Sequence, residues 1–432
     1  MKILYIMLGA LLFMTACEDL DQVPPNIASS GSLTDYDGVL NAAYFYQHGS
    51  VTPMAVMGDF RADNALMLEP PYTEFDKYGP ALTDMEEQFF GPFYTALYKS
   101  ILSANNVIEN SKSTSEVGEA KFLRALSYFK LVRVFGDVTV NLSAAPSTTD
   151  GSILVRQSAS SVYTDVIIPD LEDAIAALDT EIVDGRASKY AAQGLLGKVL
   201  VQMGDFGQAE SHLAAVVSGA DAAGISLQAN YADIFGVDND LNSEIIYATQ
   251  ISSSITDEYG FSEFWSWSAG LDTKSLEPLD TDLIAAFDAS PGDLRRAVNI
   301  DETLLMSPKF PQTGGPDHDW IELRLADVIL LYAETLNENG STPAALVELN
   351  KIRTRAGLAN STATTQSEVR TAVADERRLE LAFEGQRWFD LVRTGTVDAE
   401  MGETIDSKYH LFPIPDSEVL ASFGVITQNA GY

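Results

Sequence analysis

The sequence predicts a mostly α-helical fold. About four antiparallel helix pairs form the scaffold, and irregular, loop-rich insertions hold a few short strands. Three observations predict this. From Glu322 to Arg393 three helical patterns follow one another, each closed by recognisable stop residues. From Ser188 to Ala220 two shorter patterns flank Gly204-Asp205. From Ile225 to Pro316 the helical pattern breaks, and Asp272 to Gly315 is rich in Pro, Gly and Asp.

Taken in order, Thr34 or Asp35 can cap a first helix through Tyr44, Phe45 and Tyr46. A loop rich in Pro, Gly and aromatics runs from Glu69 to Leu82. Met85 to Ser111 places Tyr94, Leu97, Tyr98, Ile101, Asn105 and Ile108 on one helix face. Gly118 to Val140 carries Phe122, Tyr128, Phe129 and Phe135, which fit a core stripe better than a cofactor pocket. Ser161 to Leu178 is helical, with Pro169 kinking or restarting it. In Ser188–Ala220, Gly194 and Gly197 allow close helix approach and Ala209 sits at the crossing. Within the insertion a short helix is expected near Thr281–Phe287. Tyr259–Leu271 alternates aromatic and small polar residues, as a strand or an irregular loop does.

After Glu322, Leu325, Val328, Ile329, Tyr332 and Leu336 share one helix face, and Asn339-Gly340 ends it. Pro343 stands where its missing N–H costs nothing, Ser341 or Thr342 can cap, and Gly357 closes the helix. Ala345, Leu346, Leu349 and Ile352 point inward. The third pattern runs unbroken to Arg393 and spaces Glu376, Glu380 and Glu384 four apart. Such pairs cannot bury their faces alone and must stack, as tetratricopeptide units do. They fall at the first helix with 85–111, at 118–135 with 161–178, at 188–218 and at 322–357.

Residues 1–16 read as a signal peptide. Lys2 precedes an apolar run from Ile3 to Phe13, too short for a transmembrane helix of ~20 residues. Met14-Thr15-Ala16-Cys17 looks like a lipobox, with Met14 in place of the usual Leu, and marks Cys17 for lipidation. Each buried methylene is worth ~0.8 kcal/mol, so two or more acyl chains anchor stably. Glu18, Asp19 and Asp21 follow, and 17–32 reads as a flexible tether. Cys17 is the only cysteine, which excludes an internal disulfide or multi-cysteine metal site.

The chain holds 62 Asp and Glu against 27 Lys and Arg. That excess argues against nucleic acid, whose phosphates need a basic surface, and disfavours long polyanionic ligands.

The strings RLADVILLYAETLNENG, ALVELNKIRTRAGL and ERRLELAFEGQRWFDLVRTG resemble the C-terminal half of the SusD/RagB family, outer-membrane lipoproteins that bind nutrients. GEAKFLRALSYFKLVRVFGDVTV resembles that family's N-terminal helix, with Thr139 where the family has Pro. LFPIP and QNAGY resemble its closing motifs, with Ala430 replacing Pro. The resemblance implies a single SusD-like domain over 33–432, with scaffold at about 33–220 and 320–395 and a ligand-binding insertion at about 225–318. Beside it, the acidic cluster after Cys17 resembles a surface-export signal and points to the extracellular face of the outer membrane.

Glu376, Glu380 and Glu384 are spaced as a hydrolase acid and base could be. Arg377, Arg378 and Arg387 lie three or four residues away, the grammar of charge pairs flanking a packed helix. The structural reading is preferred and no enzyme is expected. His48, His212, His318 and His410 are isolated, and Asp238, Asp240 and Asn242 fit a polar turn better than a calcium loop. No metal or cofactor is expected.

Sugar rings stack their C–H faces on aromatics while polar groups grip hydroxyls. Tyr259, Phe264, Trp265 and Trp267 could form such a platform, with Glu263 and Asp272 as acceptors; Trp320 lies beside the same region. A second candidate is Arg61, Asp63 and Asn64 followed by Tyr72, Phe75 and Tyr78. The resemblance places ligand residues at both positions; packing of the insertion onto the helices is the competing reading. The expected function is capture of an oligosaccharide and delivery to a SusC-like TonB-dependent transporter. The rivals are a binder of peptides or another non-sugar nutrient, and a structural tetratricopeptide adaptor.

Overall fold

A computed structural model describes residues 35–147, 149–183, 185–252, 279–303, 305–310 and 318–432. Among them the helices form four pairs. Helix α1 (Asp37–Phe45) packs on α2 (Gly91–Asn110), and α3 (Thr114–Phe135) on α4 (Ile168–Ala177). The third pair is α5 (Lys189–Gln202) with α6 (Phe206–Gly219). The insertion contributes α7 (Thr281–Asp288). The fourth pair is α8 (Leu325–Glu338) with α9 (Thr342–Arg355), followed by α10 (Gln366–Glu380) and α11 (Arg387–Thr394). Successive pairs stack, with α2 against α3, α4 against α5 and α6 against α8. The apolar faces thereby close into one continuous core.

Local sequence explains most of these elements. Leu325, Val328, Ile329 and Leu336 are buried, while Tyr332 is half-buried at the rim. Phe122, Tyr128, Phe129 and Phe135 are all core residues. Pro169 sits in the first turn of α4, directly after a π-helical turn at Tyr163–Ile167, so it restarts the helix. A Cβ on Gly197 would fall 2.4 Å from Leu213 Cδ2, so glycine is what lets α5 and α6 touch. The Asp35 carboxylate accepts the Asp37 amide ahead of α1 (3.0 Å). Ser341 occupies the cap position of α9 but makes no side-chain cap bond; the Thr342 hydroxyl instead donates to Asn337 Oδ1 (3.0 Å).

Strands are few. β1 (Val138–Thr139) pairs antiparallel with β2 (Arg156–Gln157). β3 (Ile245–Thr249) pairs antiparallel with β4 (Trp320–Arg324). The helical pattern expected from Glu322 is corrected here: the segment up to Arg324 is strand, and it hands directly to α8 at Leu325.

The expected unbroken helix to Arg393 is also corrected. It breaks at residues 381–386, where Phe383 (φ 64°) and Gly385 (φ 70°) adopt left-handed backbone. The N-terminal part of the chain imposes this. A π-helical turn at Val56–Phe60 presses against the break, and a Cβ on Gly58 would lie 2.3 Å from the Gly385 carbonyl carbon. Asp59 accepts the amides of Phe383 (3.1 Å) and Gly385 (2.6 Å) and the side-chain amide of Asn64 (2.9 Å). Burial pushes the Asp59 carboxyl up to about 6, against the pull of these donors and of Lys309.

Around the same break the core holds an ion-pair network. Arg324 donates to Glu384 through Nε and Nη2 (2.7 Å each), and through Nη1 to Glu244 (2.8 Å) and Glu380 (2.6 Å). Arg295 joins Glu380 (2.9 Å), Glu376 (2.7 Å) and Asp293 (2.7 Å). Arg355 reaches Glu244 (3.1 Å) and Glu380, Arg353 reaches Glu376 (2.9 Å), and Lys309 reaches Glu384 (2.6 Å). Cations and carboxylates balance one for one. Burial alone would raise the Glu380 carboxyl, but Arg355, Arg324 and Arg295 outweigh it and hold it well below its ordinary range.

Two variants test the closure. Gly58→Ala is expected to destabilise by about 3 kcal/mol or more, because its Cβ would meet backbone rather than a movable side chain. Gly38→Ala, on the exposed face of α1 with nothing within 4 Å, is expected to stabilise by up to about 1 kcal/mol. Chemical unfolding measures both. Arg324→Met removes the cation shared by Glu244, Glu380 and Glu384, leaves the buried network one positive charge short, and is expected to cost about 3–5 kcal/mol. The pH dependence follows from Glu380 and from Asp390, which Arg377 and Arg393 hold at about 2 against burial. Both carboxyls titrate lower folded than unfolded, so their contribution is complete above their ordinary values of 4.5 and 3.8. It is lost as pH falls from there, and unfolding midpoints between pH 7 and pH 2 should show that sign.

Candidate ligand-binding site

Of the two stretches expected to hold ligand, the structure describes the N-terminal one. The N-terminal stretch follows the π-helical turn. Arg61 is fully buried: its Nη1 donates to Phe75 O and its Nη2 to Tyr409 O, both at 2.8 Å. The guanidinium lies over the rings of Tyr78 (4.5 Å) and Trp388 (5.3 Å). Burial lowers its pKa. Asp63 accepts two bonds from Arg387 (2.7 Å each) and pairs with Arg378 (3.1 Å). Burial alone would raise the Asp63 carboxyl; these arginines bring it below its ordinary value. Asn64 donates to Asp59 and accepts from Arg378 Nε (3.2 Å). Tyr72 is buried, accepts from Gln88 Nε2 (2.7 Å) and meets Phe89 edge-on. Trp320, on β4, is buried and stacked on Phe310 at 6.5 Å.

The expectation that these side chains grip a ligand is therefore corrected. Arg61, Asp63, Asn64, Tyr72 and Trp320 are buried and engaged with the protein itself. Tyr259, Phe264, Trp265 and Trp267, with Glu263 and Asp272, lie outside the described residues.

The buried group does something else: it forms a base for the insertion. The chain leaves β3 at Ile251, whose amide donates to Asp319 Oδ1 (2.8 Å), next to a 2.6 Å bond between His48 Nε2 and Gln250 O. It returns at Leu279, which is buried, and the Asp280 amide donates to Asn64 O (3.2 Å). The Asp280 carboxylate then caps α7 by accepting the Asp282 amide (2.9 Å). Asp76, on the 69–82 loop, accepts the Met67 amide (3.1 Å). Burial pushes the Asp76 carboxyl up to about 7, and Asp280 adds to the rise. Sequence reasoning missed Asp280 as an anchor, although an Asp directly before a short helix is a capping signal.

The glutamates spaced for hydrolysis are saturated. Glu376, Glu380 and Glu384 are buried in the ion-pair network, and Glu384 stands on the turn rather than on the helix. Their partners are not those expected. Arg377 pairs with Asp327 and Asp390, Arg378 with Asp63, and Arg387 with Asp63 and Glu400. At 3.6 residues per turn, Arg377 and Arg378 point away from the face shared by Glu376 and Glu380. Asn242 donates to Ile234 O (3.0 Å) and Asn239 O (2.9 Å), a polar turn. No group of three metal-ligating side chains comes together among the described residues.

Comparison with known proteins gives these features a family. A family model described as the SusD family matches residues 302–408. A second, described as starch-binding associating with outer membrane, matches residues 18–201. SusD-like protein P2 of Formosa agariphila is 26% identical over 100% of this chain and 99% of its own. The structure of a SusD superfamily protein from Parabacteroides distasonis superposes with a TM-score of 0.76 at 22% identity, covering 94% of this chain and all of that one. That of a laminarin binding SusD-like protein superposes at 0.72 with 25% identity, covering 93% and 99%. The two family models take in the first two helix pairs and the whole of the Glu322–Arg393 stretch from which the expectation began: the chain belongs to the SusD family.

Proposed function

We propose that this protein is a cell-surface lipoprotein, anchored through Cys17, that captures an oligosaccharide without altering it. It hands the glycan to a SusC-like TonB-dependent transporter in the outer membrane. The carrying observation is that the described residues on either side of the aromatic-rich stretch are fixed to the scaffold: Ile251 by Asp319, beside the β3–β4 pair, and Asp280 by Asn64. A stacking surface gains affinity when the chain that carries it starts from a rigid base, because less ordering entropy is lost on binding. The laminarin-binding relative and the starch-binding description of the matched family support a glycan as the ligand class. Binding without turnover is supported by the ion pairing of Glu376, Glu380 and Glu384.

Trp265 and Trp267 carry the stacking in this reading. Trp265→Ala and Trp267→Ala are each expected to weaken binding of a cognate glycan by about tenfold, the loss of roughly 1.4 kcal/mol of aromatic contact. Calorimetry against a panel of neutral oligosaccharides, with peptides as the competing class, reads this out. Unchanged affinity in both variants removes the platform, and saturable peptide binding with no glycan binding replaces the ligand class.

A further inference from the structure

We propose that a cavity between α10, α11 and the α5–α6 turn is a second binding site, and that it takes a compact, hydroxylated ammonium solute held at Asp375. The cavity has a volume of about 370 Å³, within the range of small-molecule sites. Val201, Phe206, Val373 and Leu391 give it an apolar side. The rest of the lining is charged or hydroxylated.

The charges decide what fits. Glu338 pairs with Arg370 (2.6 Å) and Glu334 with Arg393 (2.6 Å). Asp390 pairs with Arg377 (2.9 Å) and Arg393 (2.8 Å). Glu400 pairs with Arg387 (2.8 Å). Asp375 is the carboxylate of this lining, among the described residues, with no ion-pair partner. Its nearest cations, Arg387 and Arg378, are both committed to Asp63. That end of the cavity therefore sets Arg378 and Arg387 against Asp63, Asp375 and Glu400, and one negative charge is left over. Partial burial and then Glu400 push the Asp375 carboxyl upward, while Arg387 and Arg378 pull it down.

An anion would add to that surplus, and a neutral solute would leave it uncompensated. An ammonium group cancels it and donates hydrogen bonds to the carboxylate. The hydroxyl of Thr371 already donates to Ser367 O, which leaves its oxygen as an acceptor for a solute hydroxyl; that of Thr394 donates to Asp390 O and lies 2.9 Å from the Thr396 hydroxyl. Among the described residues the lining comes from the scaffold helices and turns and from Asn64.

The test is calorimetric titration of the full chain with glucosamine, and with glucose as its neutral match, at physiological salt and slightly acidic pH. Glucosamine is expected to bind saturably and at least about tenfold tighter than glucose. Asp375→Asn, at an exposed position, is expected to erase that difference while glycan binding that depends on Trp265 and Trp267 persists. Thr371→Trp, which fills the cavity from its exposed side, is expected to abolish glucosamine binding without touching Asp375. Equal affinity for both sugars, glucosamine binding that survives Asp375→Asn or Thr371→Trp, or no saturable binding at all overturns the proposal. Binding that survives both variants and vanishes with added salt is attraction to the acidic surface as a whole.

Discussion

Arg324 is the pivot of this protein. It sits at the junction of β4 and α8, fully buried, and its guanidinium touches carboxylates from three separate parts of the chain: Glu244 ahead of β3, Glu380 at the end of α10 and Glu384 on the following turn. Ions removed from water are tolerated only when paired and bonded on all sides, which makes their partners mutually obligatory. The network thus fixes where the insertion leaves the scaffold and where the C-terminal helices meet it. Arg295 and Lys309 extend the same constraint to residues after the insertion returns. A purely apolar core would hold these segments together, but it would not specify which turn meets which strand so narrowly.

The second constraint is steric. Gly58 and Gly385 meet backbone to backbone, and Asp59 satisfies two amides of the turn that Gly385 belongs to. This contact joins the first helical region to the last across most of the sequence. It also sets the Arg61–Asn64 turn in place, where Arg378 and Arg387 grip it from the other side. Loops built on such a base can vary in sequence without moving their roots. That division suits a family whose members share a scaffold while differing in what they hold.

What the sequence revealed follows the range of the interactions. The helix pairs were legible because apolar residues at helical spacing, with Gly and Pro at the ends, are local signals; Leu325–Leu336 and Gly194–Ala209 are the clearest. The ion pairs were not. The rule that charges four residues apart pair along a helix assigned Arg377 and Arg378 to the glutamates, but the glutamates' true partners are Arg295, Lys309, Arg324, Arg353 and Arg355. The break at 381–386 was hidden too, since Leu381, Ala382 and Glu384 are good helix formers and the pressure from Gly58 comes from far away in the chain. For Arg61, Asp63, Asn64 and Tyr72 the residue types were those of a binding loop; only three-dimensional cover by the 69–82 loop and Tyr409 shows them to be foundation.

The distribution of positive charge connects fold to ligand. Many of the 27 Lys and Arg residues are drawn inward: Arg61, Lys130, Lys198, Arg295, Lys309, Arg324, Arg377 and Arg387 are all buried. Most of them take carboxylates with them in ion pairs, so they do little to offset the chain's net charge of −35. Basic residues that do reach the surface, such as Lys77, Lys351 and Arg370, belong to a chain in which acidic residues outnumber basic ones by more than two to one. Repulsion by such an excess reaches about a Debye length, ~8 Å at physiological salt, which covers the approach to any loop. Repulsion of that range works against an acidic polysaccharide and is compatible with the neutral oligosaccharide proposed as the ligand.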